Sequence, residues 1–200
     1  MKILLTAFDP FGGETVNPAQ QAVAEVVDKI GDVEIIKLVV PTVFGKAPQV
    51  VAEAIHAEKP DAVLCIGQAG GRPDLTVERI GINVDDARIA DNAGNTPCDA
   101  PIVPEGPAAY FATLPIKAMV AAIREAGIPA SVSNSAGTFV CNHLLYSVLH
   151  LTAGTNVKAG FMHVPFLPSQ VKDGRQFPSM SKSDIVAGIE AALGAIAEAL

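Results

Sequence analysis

The sequence predicts an α/β protein built on a twisted, largely parallel sheet, and three observations carry that prediction. Short apolar runs alternate with longer segments of helical period, the signature of βαβ units. Half of the 200 residues are hydrophobic and 18% are charged, which suits a folded globular chain and argues against extended disorder. A chain of this length buries roughly 70% of its unfolded surface, enough for a core without disulfide or metal staples. One domain over residues 1–200 is expected.

Five runs read as buried strands: Lys2–Ala7, Val33–Val40, Asp61–Ile66, Ala130–Ser133 and Ala159–Val164. Each is dense in Val, Ile, Leu or Ala and is closed by Gly, Pro or Asn. A further short strand lies in Thr76–Val84. The first helix opens at Asn17-Pro18, where Asn caps and Pro brings its pre-set φ to the first helical position. Other helices cover Ala47–Glu58, Ile116–Ala126 and Asn142–Leu151. The last starts near Ser183-Asp184 and keeps Ile185, Ile189, Ala192, Leu193 and Ile196 on one face. Asp85–Pro107 breaks the alternation, and loops of that length in compact domains are usually functional or mobile. In an open α/β sheet the useful chemistry gathers at the carboxyl ends of the strands.

Charge excludes several functions. With 14 basic and 21 acidic side chains the net charge is −7, and no lysine or arginine run creates a local footprint for a phosphate backbone or an anionic membrane. The three cysteines are far apart and lack the close pairs of zinc or redox motifs, which implies a reducing compartment. The apolar N-terminus is too short for a signal sequence, and no apolar run approaches the roughly 18 residues a membrane span needs. A cytoplasmic protein is expected.

Cys141 immediately precedes an apparent helix, where backbone N–H groups and the helix dipole favour an anion, so a thiolate at neutral pH is expected. Cys65 reads as inert core, and Cys98 has no evident activating group. Among four histidines, His163 ends a predicted strand on the edge that carries the start of the Cys141 helix. His143 would point to another side of that helix, His56 reads as surface, and His150 complements a helix C-terminus. A base at His163 would need a third group to fix its tautomer. Glu78 is one candidate, although Arg79 offers it a simple ion pair, and Asp9, Asp85, Asp86 and Asp91 compete. The glycines at 12–13, 67 and 70–71 lack a dinucleotide pattern and read as tight turns that allow close backbone approach.

Several segments together resemble the pyroglutamyl peptidase I family, the pyrrolidone-carboxylate peptidases. They are Thr6-Ala7-Phe8-Asp9-Pro10-Phe11-Gly12-Gly13, Gly67-Gln68-Ala69-Gly70-Gly71-Arg72 leading to Glu78-Arg79, Asn83, Ala136-Gly137-Thr138-Phe139-Val140-Cys141-Asn142-His143, and Phe161-Met162-His163-Val164-Pro165. The resemblance covers nearly the whole chain, with Gly81 a small departure where the family usually has alanine. It implies a three-layer α/β/α sandwich with a mixed sheet, and a cysteine exopeptidase that cleaves N-terminal pyroglutamate from peptides. Cys141 would be the nucleophile, His163 the general acid and base, and Glu78 the residue orienting the imidazole. It implies no metal or other cofactor, pyroglutamyl peptides as the only partners apart from other subunits of a cytoplasmic homotetramer, and Phe8, Phe11 and Phe139 as pocket aromatics. Gln68 would contact the flat lactam or its neighbouring loop, and Arg88 would support the oxyanion. Two other readings stand beside it: a phosphorolytic nucleoside transferase, since similar folds host that chemistry, and a non-catalytic small-ligand-binding module.

Overall fold

The computed structural model describes residues 1–171 and 177–200. The strands are β1 (Lys2–Phe8), β2 (Lys29–Ile30), β3 (Val33–Val40), β4 (Ala62–Gln68), β5 (Leu75–Glu78), β6 (Ile80–Ile82), β7 (Ala109–Phe111), β8 (Ala130–Ser133) and β9 (Lys158–Val164). The helices are α1 (Pro18–Glu25), α2 (Lys46–Glu58), α3 (Ile116–Glu125), α4 (Val140–Thr152) and α5 (Lys182–Ala197), with a 3-10 turn at Pro168–Gln170. The main sheet runs β2-β3-β1-β4-β9-β5-β8. β3, β1, β4 and β9 are mutually parallel, β5 is antiparallel to β9, and β8 is parallel to β5.

Strand side chains alternate between faces, so each strand feeds two cores. Ile3, Leu5, Leu64, Ile66, Val77 and Met162 belong to the layer formed with α1, α3 and α5. Leu4, Phe8, Val63, Cys65, Ala159 and Phe161 belong to the layer formed with α2 and α4. The same parity sends Gly67, Glu78 and His163 to the α4 side. The β4–β9 register pairs Cys65 with Phe161 and Gly67 with His163, bringing the carboxyl ends of the two strands together beneath the start of α4.

Local chemistry sets the helix starts. The Asn17 side chain accepts from the Ala19 N–H at 3.0 Å and donates to the Asp9 carbonyl at 3.0 Å, joining the α1 cap to the loop after β1. Helix α5 is capped by Ser181, slightly earlier than the sequence pattern suggests, through its Oγ accepting from the Asp184 N–H at 3.1 Å. Helix α4 also starts earlier than predicted, at Val140, so Cys141 lies inside its first turn.

The strand expected in Thr76–Val84 is two strands. Arg79 donates its N–H to the Ser133 carbonyl at 2.8 Å, while its own carbonyl accepts from the Ala112 N–H at 2.9 Å, so the chain leaves the main sheet there and pairs β6 with β7. Gly81 of β6 lies hard against α4: a Cβ there would stand 3.0 Å from the Tyr146 backbone nitrogen.

Ile189 is fully buried in the α5 layer. Ile189→Ala is expected to lower unfolding free energy by about 2–5 kcal/mol, the usual range for removing a buried aliphatic side chain, as read by urea denaturation.

Candidate active site

Cys141 is the second residue of α4, and Phe139 at the capping position supplies no side-chain hydrogen bond. The first-turn N–H groups therefore receive no side-chain cap from Phe139. Gly67 makes the approach of this turn possible. A Cβ on Gly67 would stand 3.0 Å from the Cys141 sulfur and 2.7 Å from Phe161 Cζ. Cys141 and His163 line one cavity of about 720 Å³, whose walls include Phe11, Phe139, Gln68, Gly70, Arg72 and Arg88.

A shared carboxylate oxygen organises the base. Glu78 Oε1 lies 2.7 Å from His163 Nδ1 and accepts from Arg72 Nη1 at 2.7 Å. Arg72 also bonds Thr76 Oγ1, and its other Nη donates to the Ser135 carbonyl at 3.1 Å. Glu78 is fully buried and His163 nearly so. Burial raises the Glu78 pKa, but the His163 bond and charge, with Ser133 and Arg72, outweigh it and leave the carboxyl below its ordinary value. For His163 burial is the largest influence, and Arg72 acts with it; together they overcome the pull of Glu78 and leave the imidazole below 6.5.

The expected resting thiolate is corrected here. Burial, helped by the Glu78 charge, pushes the Cys141 thiol up to about 12, against a smaller opposing pull from Arg72. Desolvation of a sulfur held against the sheet favours the neutral thiol. Both shifts favour a neutral thiol and a neutral imidazole.

The histidines and carboxylates that compete on sequence grounds separate clearly. Arg79 does not pair with Glu78; it donates to the Asn134 side chain at 2.7 Å, because neighbouring strand residues face opposite ways. Arg72 takes that place, and no periodic signal reveals it, since it reaches back from the turn before β5. Asp9 accepts from Thr42 N–H at 2.7 Å, and Asp91 from Phe44 N–H at 2.9 Å. Asp85 pairs with His143 at 2.7 Å, and Asp86 is exposed on the cavity wall. His56 and His150 are exposed. Cys65 is fully buried and Cys98 exposed.

The aromatic candidates divide. Phe11 and Phe139 line the cavity with ring centroids 6.2 Å apart. Phe8 does not line it: it is buried in the core with its ring 6.4 Å from Phe161, because the inward parity of β1 continues through its last residue. Phe44, unmarked in the sequence, backs Phe139 edge-on at 5.3 Å. Gln68 lines the cavity, and its side-chain oxygen accepts from Gln170 at 3.0 Å. Arg88 is exposed on the wall, with Ile89 beside it. Among the described residues no group of three or more His, Cys, Asp or Glu side chains is placed to hold a metal ion.

A family model described as pyroglutamyl peptidase matches residues 1–199. A pyrrolidone-carboxylate peptidase of a Thermoanaerobacter species is 58% identical over 200 residues, covering 99% of this chain and 98% of that protein. A Streptococcus pyogenes relative of the same name is also 58% identical, covering 99% and 93%. The crystal structure of Bacillus amyloliquefaciens pyroglutamyl peptidase I superposes with a TM-score of 0.95 at 45% identity, covering 98% of this chain and 97% of that one. A point mutant of pyrrolidone carboxyl peptidase from the hyperthermophile Pyrococcus furiosus gives 0.96 at 43% identity, covering both chains completely.

The charges around His163 predict signed shifts in its titration, measurable by NMR of the imidazole. The wild-type pKa is expected below 6.5. Glu78→Gln removes the charge that favours imidazolium and should lower it further. Arg72→Ala removes the opposing cation and should raise it. A shift of either variant in the other direction would refute the electrostatic account.

Proposed function

The chain belongs to the pyroglutamyl peptidase family, and we propose that it removes N-terminal pyroglutamate from peptides as a cysteine exopeptidase. Cys141 is the nucleophile, His163 the general acid and base, and Glu78 the residue that orients the imidazole. The observation that carries this reading is the placement of the Cys141 thiol and the His163 ring in one cavity, with Nδ1 held 2.7 Å from Glu78. No hydrogen bond engages His163 Nε2 among the described residues, which leaves it available to a thiol or a leaving group.

The chemistry follows from these placements. Neutral His163 takes the thiol proton as the sulfur bonds to the pyroglutamyl carbonyl carbon. Negative charge then develops on the carbonyl oxygen, beside the uncapped first turn of α4. His163 returns the proton to the peptide nitrogen, the C–N bond breaks, and the peptide leaves with a free amine. Water, deprotonated by His163, hydrolyses the thioester, releasing pyroglutamate and restoring the thiol.

The substrate's first residue is a flat, uncharged lactam without a free amine, so it calls for apolar walls and a few polar contacts. Phe11 and Phe139 supply the walls, with Gln68 at the sheet edge, and exposed Arg88 on the cavity wall supports the oxyanion. The proposal extends to one catalytic domain over residues 1–200, a homotetramer and a cytoplasmic setting, all resting on the family resemblance. No helix among the described residues is long and apolar enough to cross a membrane.

The test is release of a fluorescent amine from a pyroglutamyl amide by reduced protein. Release is expected, with loss after iodoacetamide treatment and in Cys141→Ala; no release from folded, reduced protein would favour a binding module. Phosphate dependence with indifference to thiol blockers would favour a transferase. Cys141→Ser should keep the fold and lose nearly all activity. Arg88→Ala should lower kcat by on the order of a hundredfold without unfolding the protein; near-normal turnover would remove Arg88 from the mechanism.

A further inference from the structure

A second buried histidine–carboxylate pair lies two residues from the thiol and does not line the cavity. His143 is 8% exposed, and its Nδ1 lies 2.7 Å from Asp85 Oδ2. Its Nε2 accepts from the Gly45 N–H at 2.9 Å. A backbone N–H can only donate, so Nε2 holds the lone pair and Nδ1 carries the proton given to Asp85. Both ring nitrogens are therefore spent. This pair cannot serve as a base without breaking one of its bonds, unlike His163.

The pair joins three pieces of chain that build the cavity. His143 belongs to α4, Gly45 caps α2, and Asp85 opens the long loop. The His143 ring meets Phe44 edge-on at 5.4 Å, and Phe44 meets Phe139 edge-on at 5.3 Å, so one imidazole backs the aromatic wall through a single intermediate ring. Asp85 exchanges backbone hydrogen bonds with Ala100, at 2.7 and 3.0 Å, while the Asp86 N–H donates to the Thr138 carbonyl at 2.9 Å. At the far end of the same segment, Asp91 Oδ2 accepts from the Phe44 N–H at 2.9 Å. The cavity residues Asp86, Arg88 and Ile89 thus lie on a span tied at both ends to the loop that carries Phe44. Asp85 Oδ1 is buried with no partner, so His143 is the side-chain partner that holds this carboxylate.

We infer that His143 is a positioning residue: with Asp85 it sets the Phe44–Phe139 wall, while backbone bonds to Ala100 and Thr138 hold the Arg88 segment independently, and it thereby sets affinity for the pyroglutamyl ring without touching it. The inference rests on the proposed function. A wall that binds ground state and transition state alike governs KM with little effect on kcat. Removing His143 leaves the Gly45 N–H and the Asp85 carboxylate unpaired and a space behind Phe44, all felt at the wall rather than at the sulfur.

The test compares steady-state hydrolysis of a pyroglutamyl amide by wild type, His143→Ala, His143→Gln and Asp85→Asn, with thermal melts to confirm folding. His143→Ala is expected to raise KM about tenfold or more while kcat stays within about threefold, and the iodoacetamide rate at Cys141 should be unchanged. His143→Gln offers an acceptor to the Gly45 N–H and bulk behind Phe44, and should recover most of the lost affinity. Asp85→Asn, nearly isosteric, should raise KM about threefold or more, and it decides the matter if His143→Ala does not fold. Unchanged KM in the folded variants, or a fall in kcat at constant KM, would overturn the inference while leaving the function intact. No release from wild-type protein would remove the functional reading and this inference with it.

Discussion

One oxygen atom, Glu78 Oε1, binds the elements of the site to one another. It faces both the His163 imidazole and the Arg72 guanidinium, and it does so where the carboxylate has no exposure. An isolated buried carboxylate would give up its charge, and Glu78 is kept ionised by His163, Ser133 and Arg72 together. That requirement shapes the surrounding chain. The turn after β4 must fold back to deliver Arg72, and Thr76 and the Ser135 carbonyl fix the guanidinium in place. β5 must run against β9, with Glu78 two residues past the Thr76–His163 pair and on the same face, so that Glu78 reaches the ring from inside the sheet. A site in a mixed α/β sheet thereby draws one of its groups from a strand antiparallel to its neighbour.

Much of this was legible in the sequence because it follows periodic rules. The alternation of β1, β4 and β9 predicts which face each side chain takes, and helical spacing locates α2, α3 and α5. The parts that escaped are those fixed by individual side-chain hydrogen bonds, which no period marks. Arg72 reaches Glu78 across a turn, with no period to mark it, and the neighbouring Arg79 is the wrong partner because strand neighbours face apart. The long loop after Asp85 is organised by Asn83 and Asp91 bonding to backbone, as in the Asn83 side chain donating to the Val103 carbonyl at 2.8 Å. Phe8 was misplaced for a related reason. Its motif sits in the loop after β1, yet the strand's own parity carries it into the core.

Two histidine–carboxylate pairs of similar length and different availability lie in and behind the candidate site. His163 and His143 each stand 2.7 Å from a carboxylate, so the distance does not distinguish them. The second nitrogen does. At His143 it is occupied by a backbone donor, which closes the ring into the scaffold; at His163 it is left to the cavity. Sequence spacing set His143 aside because it points away from Cys141, which holds geometrically, but pointing away is what lets it brace the aromatic wall.

The resting protonation state bears on how such a site can be reactive at all. A thiolate already stabilised by the α4 terminus would lower the ground state together with the transition state, and interactions of equal strength in both do not accelerate the chemical step. Here burial and the Glu78 charge keep the sulfur neutral, while Arg72 and burial keep the imidazole neutral. In the proposed reaction, charge separates only as the sulfur meets the carbonyl. At that moment the Glu78 carboxylate faces a forming imidazolium, and the uncapped first turn of α4 faces a forming oxyanion. The electrostatics that disfavour a thiolate at rest thus leave these preorganised groups to act on charges that exist only along the reaction path.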